Sequence, residues 1–394
     1  MKAYDFDTLY PRRNIGAGKW RLLNDPATEA NQAVFPFSVA DMDFKAAPEI
    51  CDALHEAADF AIYGYFSPEP AYYEAICNWQ MRRYGFACQP EWLVQVPNIV
   101  YALYQLVRTF SEPGDGVIVQ TPVYAPFFHA VERQQRRLVI NPLLEQDMHY
   151  TIDFDDLAVK AADPTVRLMI LCSPHNPVGR VWTREELLAI IRICQQHDVL
   201  LIVDEIHADL VFEPHRHTVL ASLDDEIADN CMICTAPSKT FNLAGLSVAN
   251  LIIPNETMRR RYLASENQIG IHGANYFGTV ACQAAYEKGE PWYLALMSYL
   301  AGNKDIFAKT VRHQLPQFRI TPLEGTYLGW IDMRALGLSE QERLSWLKAA
   351  DLHFVTGSFF GDAGIGFERI NLALPRPALQ AGLDRLIDAV EKLT

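Results

Sequence analysis

Short runs of purely apolar residues recur along the chain, with helical patterns between them. The runs lie near residues 117, 168, 199, 231 and 248. Such runs are typical of strands that are buried on both faces of a sheet. One intervening segment begins with Thr183 and Glu186, which have the spacing of a helix-capping box. The alternation predicts an α/β fold, with a mostly parallel sheet covered by helices on both faces.

The alternation ends near residue 285, and 394 residues are enough for about two domains. We expect a large α/β domain over residues 46–285. Residues 1–45 are irregular and punctuated by proline, which predicts an arm. Residues 286–394 begin with a helix expected from Pro291 to Leu315 and continue as strand, strand, helix, strand, strand, helix. This order predicts a smaller α+β domain, completed by the arm.

The chain carries 48 acidic and 34 basic residues, for a formal net charge of −14. This excess of negative charge argues against nucleic acid and anionic membranes as partners. No apolar run reaches transmembrane length, and the first residues lack the apolar core of a signal peptide. Eight scattered cysteines, three of them in strand-like runs, are typical of buried thiols in a reducing compartment. We therefore expect a cytoplasmic protein.

Polar side chains follow three of the apolar runs. Asn176 comes after the run near 168, Asp204 and His207 after the run near 199, and Lys239 after the run near 231. Ligands bind at the carboxyl ends of strands in open α/β sheets, so this edge is the candidate site. A desolvated lysine has a lowered pKa and can attack a carbonyl as a free amine. Taken alone, Lys239 fits a solvated loop lysine better, and only the polar residues after the other runs favour the reactive amine.

A metal site is a second interpretation of the same region, since Asp204, His207, Asp209, His215 and His217 lie close together in the sequence. Zinc requires several ligands that converge in a fixed geometry. Nothing in the spacing indicates such convergence, and His215 and His217 are expected to be solvated loop residues. Cys231 and Cys234 lie three apart on a predicted strand and should face opposite sides. We therefore expect no metal.

The ordered set Asn-Pro-x-Gly at 176–179, Asp-x-x-His at 204–207 and Ser-Lys at 238–239 resembles the pyridoxal 5′-phosphate (PLP) enzymes of the aspartate-aminotransferase fold. The resemblance runs from near residue 35 to the C-terminus and implies that the large domain binds PLP. Further stretches resemble the cystathionine β-lyase, or MalY/PatB-type C–S lyase, branch. These stretches are Val39–Phe44, Tyr63–Tyr65, Thr121–Tyr124 and Arg369–Ala373.

The resemblance implies a role for each side chain around the cofactor ring. Lys239 would form the Schiff base and later take the substrate Cα proton. Asp204 would pair with the pyridine nitrogen, and Asn176 would donate to the phenolic oxygen. Tyr124 would stack on the ring, although a core aromatic explains this residue equally well. His207 stands where aminotransferases usually have tyrosine, and the lyase branch commonly has histidine.

The phosphate candidates are Ser238, the backbone N–H groups of Ile99 and Val100 at a predicted helix N-terminus, and Tyr65 from a partner subunit. The last of these implies a homodimer with its active sites at the subunit interface. Relatives usually have glycine in place of Asn98. Asparagine tolerates the left-handed conformation better than most residues, so the same turn is compatible with it.

Ser247 replaces an arginine that many aminotransferases carry eight residues after the lysine, and the lyase branch also lacks this arginine. Arg369 would bind the substrate α-carboxylate as a fork, helped by the backbone of Ala40. Without the family pattern, Arg369 would fit a surface residue paired with Glu368.

The function implied is β-elimination from sulfur amino acids, which converts L-cystathionine to homocysteine, pyruvate and ammonia. An aminotransferase would use the same cofactor residues and is the nearest alternative. A PLP-binding regulator that acts by protein contact is an alternative of another class, since some relatives combine both roles.

Overall fold

The structure is a computed structural model, and it describes residues 4–10, 12, 15–21, 35–223, 225–271 and 273–393. The strands, in chain order, are β1 (Phe35–Pro36), β2 (Leu93–Val96), β3 (Gly116–Thr121), β4 (Arg137–Pro142), β5 (Leu144–Gln146), β6 (His149–Thr151), β7 (Val166–Cys172), β8 (Leu200–Asp204), β9 (Cys231–Thr235), β10 (Ala249–Ile252), β11 (Arg319–Ile320), β12 (Leu328–Asp332), β13 (Leu352–His353), β14 (Val355–Thr356) and β15 (Phe367–Asn371).

The α-helices, in chain order, are α1 (Gly18–Arg21), α2 (Pro48–Phe60), α3 (Pro70–Tyr84), α4 (Ile99–Phe110), α5 (Pro126–Glu132), α6 (Phe154–Ala161), α7 (Arg184–Gln196), α8 (Asp225–Ala228), α9 (Pro237–Thr240), α10 (Glu256–Ile269), α11 (Tyr276–Lys288), α12 (Glu290–Gln314), α13 (Glu340–Ala349) and α14 (Arg376–Glu391). Thr183 and Glu186 form the predicted capping box ahead of α7. Across the described ranges, no helix is both long and apolar enough to span a membrane.

A seven-stranded sheet in the order β2-β10-β9-β8-β7-β3-β4 is the centre of the molecule. Strand β10 is antiparallel to both of its neighbours, and the other pairs are parallel. This confirms the predicted α/β fold with a mostly parallel sheet. Asp204 at the end of β8 lies in register between Cys172 of β7 and Cys234 of β9. The ends of three strands therefore meet at one edge.

The two faces of this sheet are buried by different helices, because successive strand residues point to opposite sides. Helices α4, α5 and α10 cover one face, and α2, α3, α6, α7 and α11 contribute to the core on the other. Cys234 packs on the first face and Cys231 on the second, as their spacing predicted. All eight cysteines are free thiols.

The C-terminal part forms a second core around an antiparallel sheet, in the order β11-β12-β15-β14. Helices α12, α13 and α14 contribute side chains to this core. The end of the N-terminal segment joins it, since β1 pairs in parallel with β13. Between α13 and α14 there are three short strands rather than the expected two. The division of the chain near residues 45 and 285 stays a prediction.

A tight turn brings the end of β14 over the carboxyl edge of the large sheet. Residues Gly357–Phe360 form a 3-10 helix that folds back against Gly364. A Cβ on Gly357 would lie 1.8 Å from the carbonyl oxygen of Gly364 and 2.7 Å from that of Phe367. Because all of these neighbours are backbone atoms, the turn cannot adjust to a side chain at this position.

Replacing Gly357 by alanine should therefore lower the free energy of unfolding by at least about 2 kcal/mol, as overpacking does where neighbours cannot move. Thermal unfolding of the cofactor-loaded protein measures this. Gly18→Ala is the matched control, because its Cβ would meet no atom within 4 Å. Equal melting temperatures for the two variants would contradict the packing described for the turn.

Candidate active site

A cavity of about 420 Å³ opens at the carboxyl edge of the large sheet. It collects most of the side chains that the sequence singled out. Its lining includes Lys239, Asp204, Asn176, His207, Tyr124, Ser238, Ile99, Val100, Arg369 and Ala40. Tyr65 is the exception, because it lies outside this lining and is fully exposed. In the part of the chain that the structure describes, no three His, Cys, Asp or Glu side chains converge as metal ligands.

Lys239 enters the cavity from the short helix α9. Ala236 leaves β9 in an extended conformation, and Pro237 suits the first turn of the helix that follows. The Lys239 Nζ donates a hydrogen bond of 2.6 Å to the carbonyl oxygen of Ala40. Burial, helped by the charge of Arg369, lowers the pKa of Lys239 to about 8. At neutral pH a much larger fraction of this amine is unprotonated than for an ordinary lysine.

Asp204 lies at the end of β8, where its backbone is fixed by both neighbouring strands. Its Oδ1 accepts a hydrogen bond of 3.1 Å from the N–H of Ile206. Burial raises the pKa of Asp204 to about 7, because little around it stabilises the charged form. A cation brought to this carboxylate by a ligand would reverse that shift. The site therefore suits a protonated ring nitrogen.

His207 lies on the same side of the strand end as Asp204. Burial, helped by the charges of Lys239 and Arg369, lowers its pKa well below the usual value, so the imidazole is neutral. Its ring contacts that of Tyr327 edge-on, with 6.0 Å between the centroids. The Nδ1 atom is buried and has no partner among the described residues. It is therefore available to a polar ligand.

Arg369 reaches the cavity from β15, in the C-terminal sheet. Its Nη1 donates to the Oδ1 of Asn176 at 3.1 Å, and its Nη2 donates to the carbonyl oxygen of Ser38 at 3.0 Å. The guanidinium lies 5.0 Å from the centre of the Phe360 ring. Burial lowers the pKa of Arg369 to about 10. Its buried Nε has no acceptor among the described residues. An incoming carboxylate would supply that acceptor.

Asn176 and Tyr124 complete the walls near Arg369. Since the Oδ1 of Asn176 accepts from Arg369, its amide N–H groups are left to donate into the cavity. The Tyr124 ring lies 6.4 Å from that of Phe359, centre to centre. Burial raises the pKa of Tyr124, so its hydroxyl stays protonated. A flat, neutral ring beside a polar amide suits an aromatic ligand with polar substituents.

The opposite end of the cavity is built from neutral hydrogen-bond donors. Helix α4 begins at Ile99, and its first N–H groups have no acceptor within the helix. Ser238 and Ser247 line the same cavity. Such a helix N-terminus with hydroxyls nearby suits a phosphate. Ser247 itself has a left-handed conformation, with φ of 48°.

Asn98 does not use the left-handed conformation that asparagine tolerates. Asn98 is extended, with φ of −168°, and it caps helix α4. Its Oδ1 accepts a hydrogen bond of 2.8 Å from the N–H of Tyr101. An N-cap residue has extended backbone angles, so asparagine fits here without strain.

The expectation that His217 is a solvated loop residue was wrong, whereas His215 is exposed as predicted. The His217 side chain is buried, with its Nε2 3.0 Å from the Oε2 of Glu205. Its ring packs edge-on against that of Tyr84. Glu205 points away from the cavity because successive residues at the end of β8 alternate in direction. The loop that holds His217 closes over this buried carboxylate.

Sequence reasoning missed the residues that hold the peptide between Ser38 and Asp41. The Asn371 Nδ2 donates to the carbonyl oxygens of Val39 and Asp41, at 2.6 and 2.7 Å. The Tyr327 hydroxyl shares the Ala40 carbonyl oxygen with Lys239 and lies 3.0 Å from it. Asn371 is part of the stretch Arg369–Ala373 that the sequence singled out. Tyr327 carried no such signal, because its contact spans 287 residues.

The N-terminal arm reaches the same peptide through buried charges. The Lys19 Nζ lies 2.6 Å from Asp43 Oδ2, and the Lys19 side chain is fully buried. The Arg12 guanidinium contacts Asp41 at 2.7 Å and Asp43 at 2.9 Å. Two cations from the arm therefore neutralise two carboxylates beside the cavity.

The cavity offers an amine for an aldehyde, a carboxylate for a protonated ring nitrogen and hydrogen-bond donors for a phosphate. This combination of groups is typical of PLP enzymes with the aminotransferase fold. The family model for aminotransferase class I and II matches residues 31–386, and the chain belongs to that family.

Two kinds of comparison narrow the position of the chain within the family. Cystathionine beta-lyase PatB of Bacillus subtilis (strain 168) is 43% identical over 97% of this chain and 98% of its own. Cystalysin from Treponema denticola, whose crystal structure contains PLP, superimposes with a TM-score of 0.96 at 38% identity, over 100% of both chains. The PLP-bound C-S lyase from Staphylococcus hominis gives a TM-score of 0.91 at 33% identity, over 98% of both. The chain is thus a PLP-dependent member of the C–S lyase branch.

The raised pKa of Asp204 makes the stability of the cofactor-free protein depend on pH. Between about pH 4 and 7 the native state holds a proton on Asp204 that the unfolded state releases, so stability falls as the pH rises through this window. Relative to Asp204→Asn, the wild-type protein should lose a few kcal/mol over that range. Urea unfolding of both proteins at pH 4.5 and pH 7 measures the difference. Asp362→Asn, on the surface, is the control. A constant difference between wild type and Asp204→Asn would contradict the burial of this carboxylate.

Proposed function

We propose that this protein is a PLP-dependent carbon–sulfur lyase that cleaves cysteine thioethers such as L-cystathionine by β-elimination, releasing a thiol, pyruvate and ammonia. The end-to-end identity of 43% with a cystathionine β-lyase carries the proposal. The donor set of the cavity supports it, because each group that PLP chemistry requires is present.

Lys239, Asp204, Asn176 and Tyr124 hold the cofactor in this proposal. PLP, when bound through Lys239, supplies an electron sink that stabilises negative charge on the substrate Cα. Asp204 holds a proton at the ring nitrogen, Asn176 donates to the phenolic oxygen and Tyr124 covers one face of the ring. Ser238, the N–H groups at the start of α4 and Tyr65 of a second subunit hold the phosphate.

Arg369 and Lys239 act on the substrate. The guanidinium binds the α-carboxylate with its unpartnered Nε and an Nη, and the N–H of Ala40 assists. Because the pKa of Lys239 is lowered, the amine is free to take the Cα proton. The electron pair left at Cα forms the Cα–Cβ double bond as the Cβ–S bond breaks, and the sulfur leaves as a thiolate. Hydrolysis of the remaining enamine gives pyruvate and ammonia.

An aminotransferase would instead move the same proton to a cofactor carbon and require a 2-oxo acid to complete each cycle. With L-cystathionine and no 2-oxo acid, we expect sustained release of pyruvate and homocysteine in equal amounts. Lys239→Ala should produce neither and should lose the near-visible absorbance of the bound cofactor. Lys45→Ala, which alters an exposed lysine, is the control. Turnover that begins only when a 2-oxo acid is added would identify an aminotransferase.

The protein acts as a homodimer in this proposal. Large apolar side chains cluster on the surface around the loop that carries Tyr65, at Phe60, Ile62 and Tyr63. Aromatic residues of α11 extend the cluster, since Phe277 packs against Tyr63. A contiguous exposed apolar patch is typical of a protein–protein interface. An interface here would place Tyr65 at the phosphate end of the second subunit's cavity.

Ile62→Asp should convert the dimer to a monomer and weaken PLP binding at least ten-fold, because the buried charge would have no partner and Tyr65 would be lost from the neighbouring site. Analytical ultracentrifugation and PLP titration measure the two effects. Val159→Asp alters an apolar residue of similar exposure elsewhere and should remain dimeric. A fully active wild-type monomer at assay concentration would refute the role of Tyr65.

We place the protein in the cytoplasm. All eight cysteines are free thiols, and six of them are buried, which suits a reducing compartment. The net charge of −14 is unfavourable for binding nucleic acid or an anionic membrane surface.

A further inference from the structure

The cavity has an apolar wall beside the groups that act on the substrate. Val355 is the direct cross-strand neighbour of Arg369. Val39 precedes Ala40, whose carbonyl oxygen accepts from Lys239. Phe359 and Val39 both line the cavity and are 41% and 38% exposed, so the wall extends to the mouth. This wall lies beside the groups that would hold the α-carboxylate and act on Cα, and we take it as the surface that faces the sulfur substituent.

The wall offers no counter-ion for a charged substituent. Among the described residues that line the cavity, the charged ones are Asp204, Lys239 and Arg369, and each is already committed to the reaction. The loop 60–66, which carries Tyr65 and approaches this cavity in the proposed dimer, contains neither lysine nor arginine. A carboxylate placed at the wall would lose water without gaining a partner, which is costly.

We propose that the pocket formed by Val39, Val355 and Phe359 selects cysteine thioethers whose sulfur carries an uncharged, apolar group, and that Phe359 is its specificity-determining residue. This rests on the proposed lyase function. An alkyl or aryl substituent gains free energy in proportion to the apolar surface that it removes from water. The distal charges of L-cystathionine must stay in solvent at the mouth, so this substrate gains less from the wall.

Phe359 is held firmly enough to discriminate between substituents. It belongs to the turn of Gly357–Phe360, in which Gly357 is packed against backbone atoms. The next residue, Phe360, is buried, and its carbonyl oxygen accepts from Val123 at 2.9 Å. The Phe359 ring also contacts that of Phe360, with centroids 5.2 Å apart.

Two thioethers of the same shape separate charge from size. S-isopentyl-L-cysteine and S-(2-carboxyethyl)-L-cysteine differ only by two methyl groups in place of two carboxylate oxygens. We expect kcat/KM for pyruvate release by the holoenzyme to be at least about ten-fold higher for the isopentyl compound, with L-cystathionine in between. Equal values, or a preference for the carboxylate, would overturn the inference. Pyruvate from neither thioether nor from L-cystathionine would instead refute the lyase function.

Phe359→Lys places a cation at the wall and should reduce this preference at least about ten-fold, by raising kcat/KM for the carboxyethyl compound and lowering it for the isopentyl compound. Ile365→Lys adds the same charge at an exposed residue outside the cavity and should leave the preference unchanged. An unchanged preference in Phe359→Lys, or an equal change in both variants, would overturn the role of Phe359.

Binding without elimination gives an independent measurement. L-homoleucine and L-glutamate have the same side-chain shape and no leaving group on Cβ. Titration of the holoenzyme, followed by cofactor absorbance, should give a lower dissociation constant for L-homoleucine, and Phe359→Lys should reverse the order. If L-glutamate binds the wild-type holoenzyme as tightly as L-homoleucine, the pocket does not select by charge.

Discussion

The peptide from Ser38 to Asp41 joins the two cations of the active site. Lys239 donates to the carbonyl oxygen of Ala40, and Arg369 donates to that of Ser38. The two cations repel each other, and the charge of Arg369 contributes to the low pKa of Lys239. Neutral carbonyl oxygens hold both without adding a fixed negative charge. In the proposed reaction, the lysine can therefore act as a base and the arginine can bind a carboxylate, which an aspartate in the same place would prevent.

The N-terminal arm belongs to the active site for the same reason. Two sets of charged contacts hold the peptide in place. Lys19 forms a buried ion pair with Asp43, and Arg12 contacts Asp41 and Asp43. A buried pair adds little net stability, but breaking it leaves an uncompensated charge. The arm thus has one strongly preferred position. Ser38 and Arg369 are 331 residues apart in sequence, and a hydrogen bond of 3.0 Å from the guanidinium to the Ser38 carbonyl oxygen joins them.

How well a feature could be predicted from the sequence depends on how far apart in the chain the interacting residues lie. The α/β alternation was predictable because burial on both faces leaves an apolar run in each strand. The placement of Asp204, Asn176 and Lys239 at one edge follows from parallel register, and the family pattern added Arg369. The contacts of Tyr327, Asn371 and Lys19 were missed because each reaches a residue distant in sequence. Asn371 lies in a stretch that the family pattern singled out, whereas Tyr327 and Lys19 carry no local pattern. The expectation for His217 was wrong, and the N-cap role of Asn98 was not foreseen, because a buried carboxylate partner and an N-cap are set by packing.

Burial disfavours the charged forms of the titratable side chains in the cavity before a ligand arrives. It raises the pKa of Asp204 to about 7, lowers that of Lys239 to about 8 and keeps His207 neutral. Each of these pKa shifts shows that the protein alone does not stabilise the charged form of the side chain. A ligand with a cationic ring nitrogen and an anionic carboxylate would supply the missing partners at Asp204 and Arg369. In the proposed reaction, the site is thus complementary to the charges of the bound groups, and the proposed pocket at Phe359 recognises the sulfur substituent without charge.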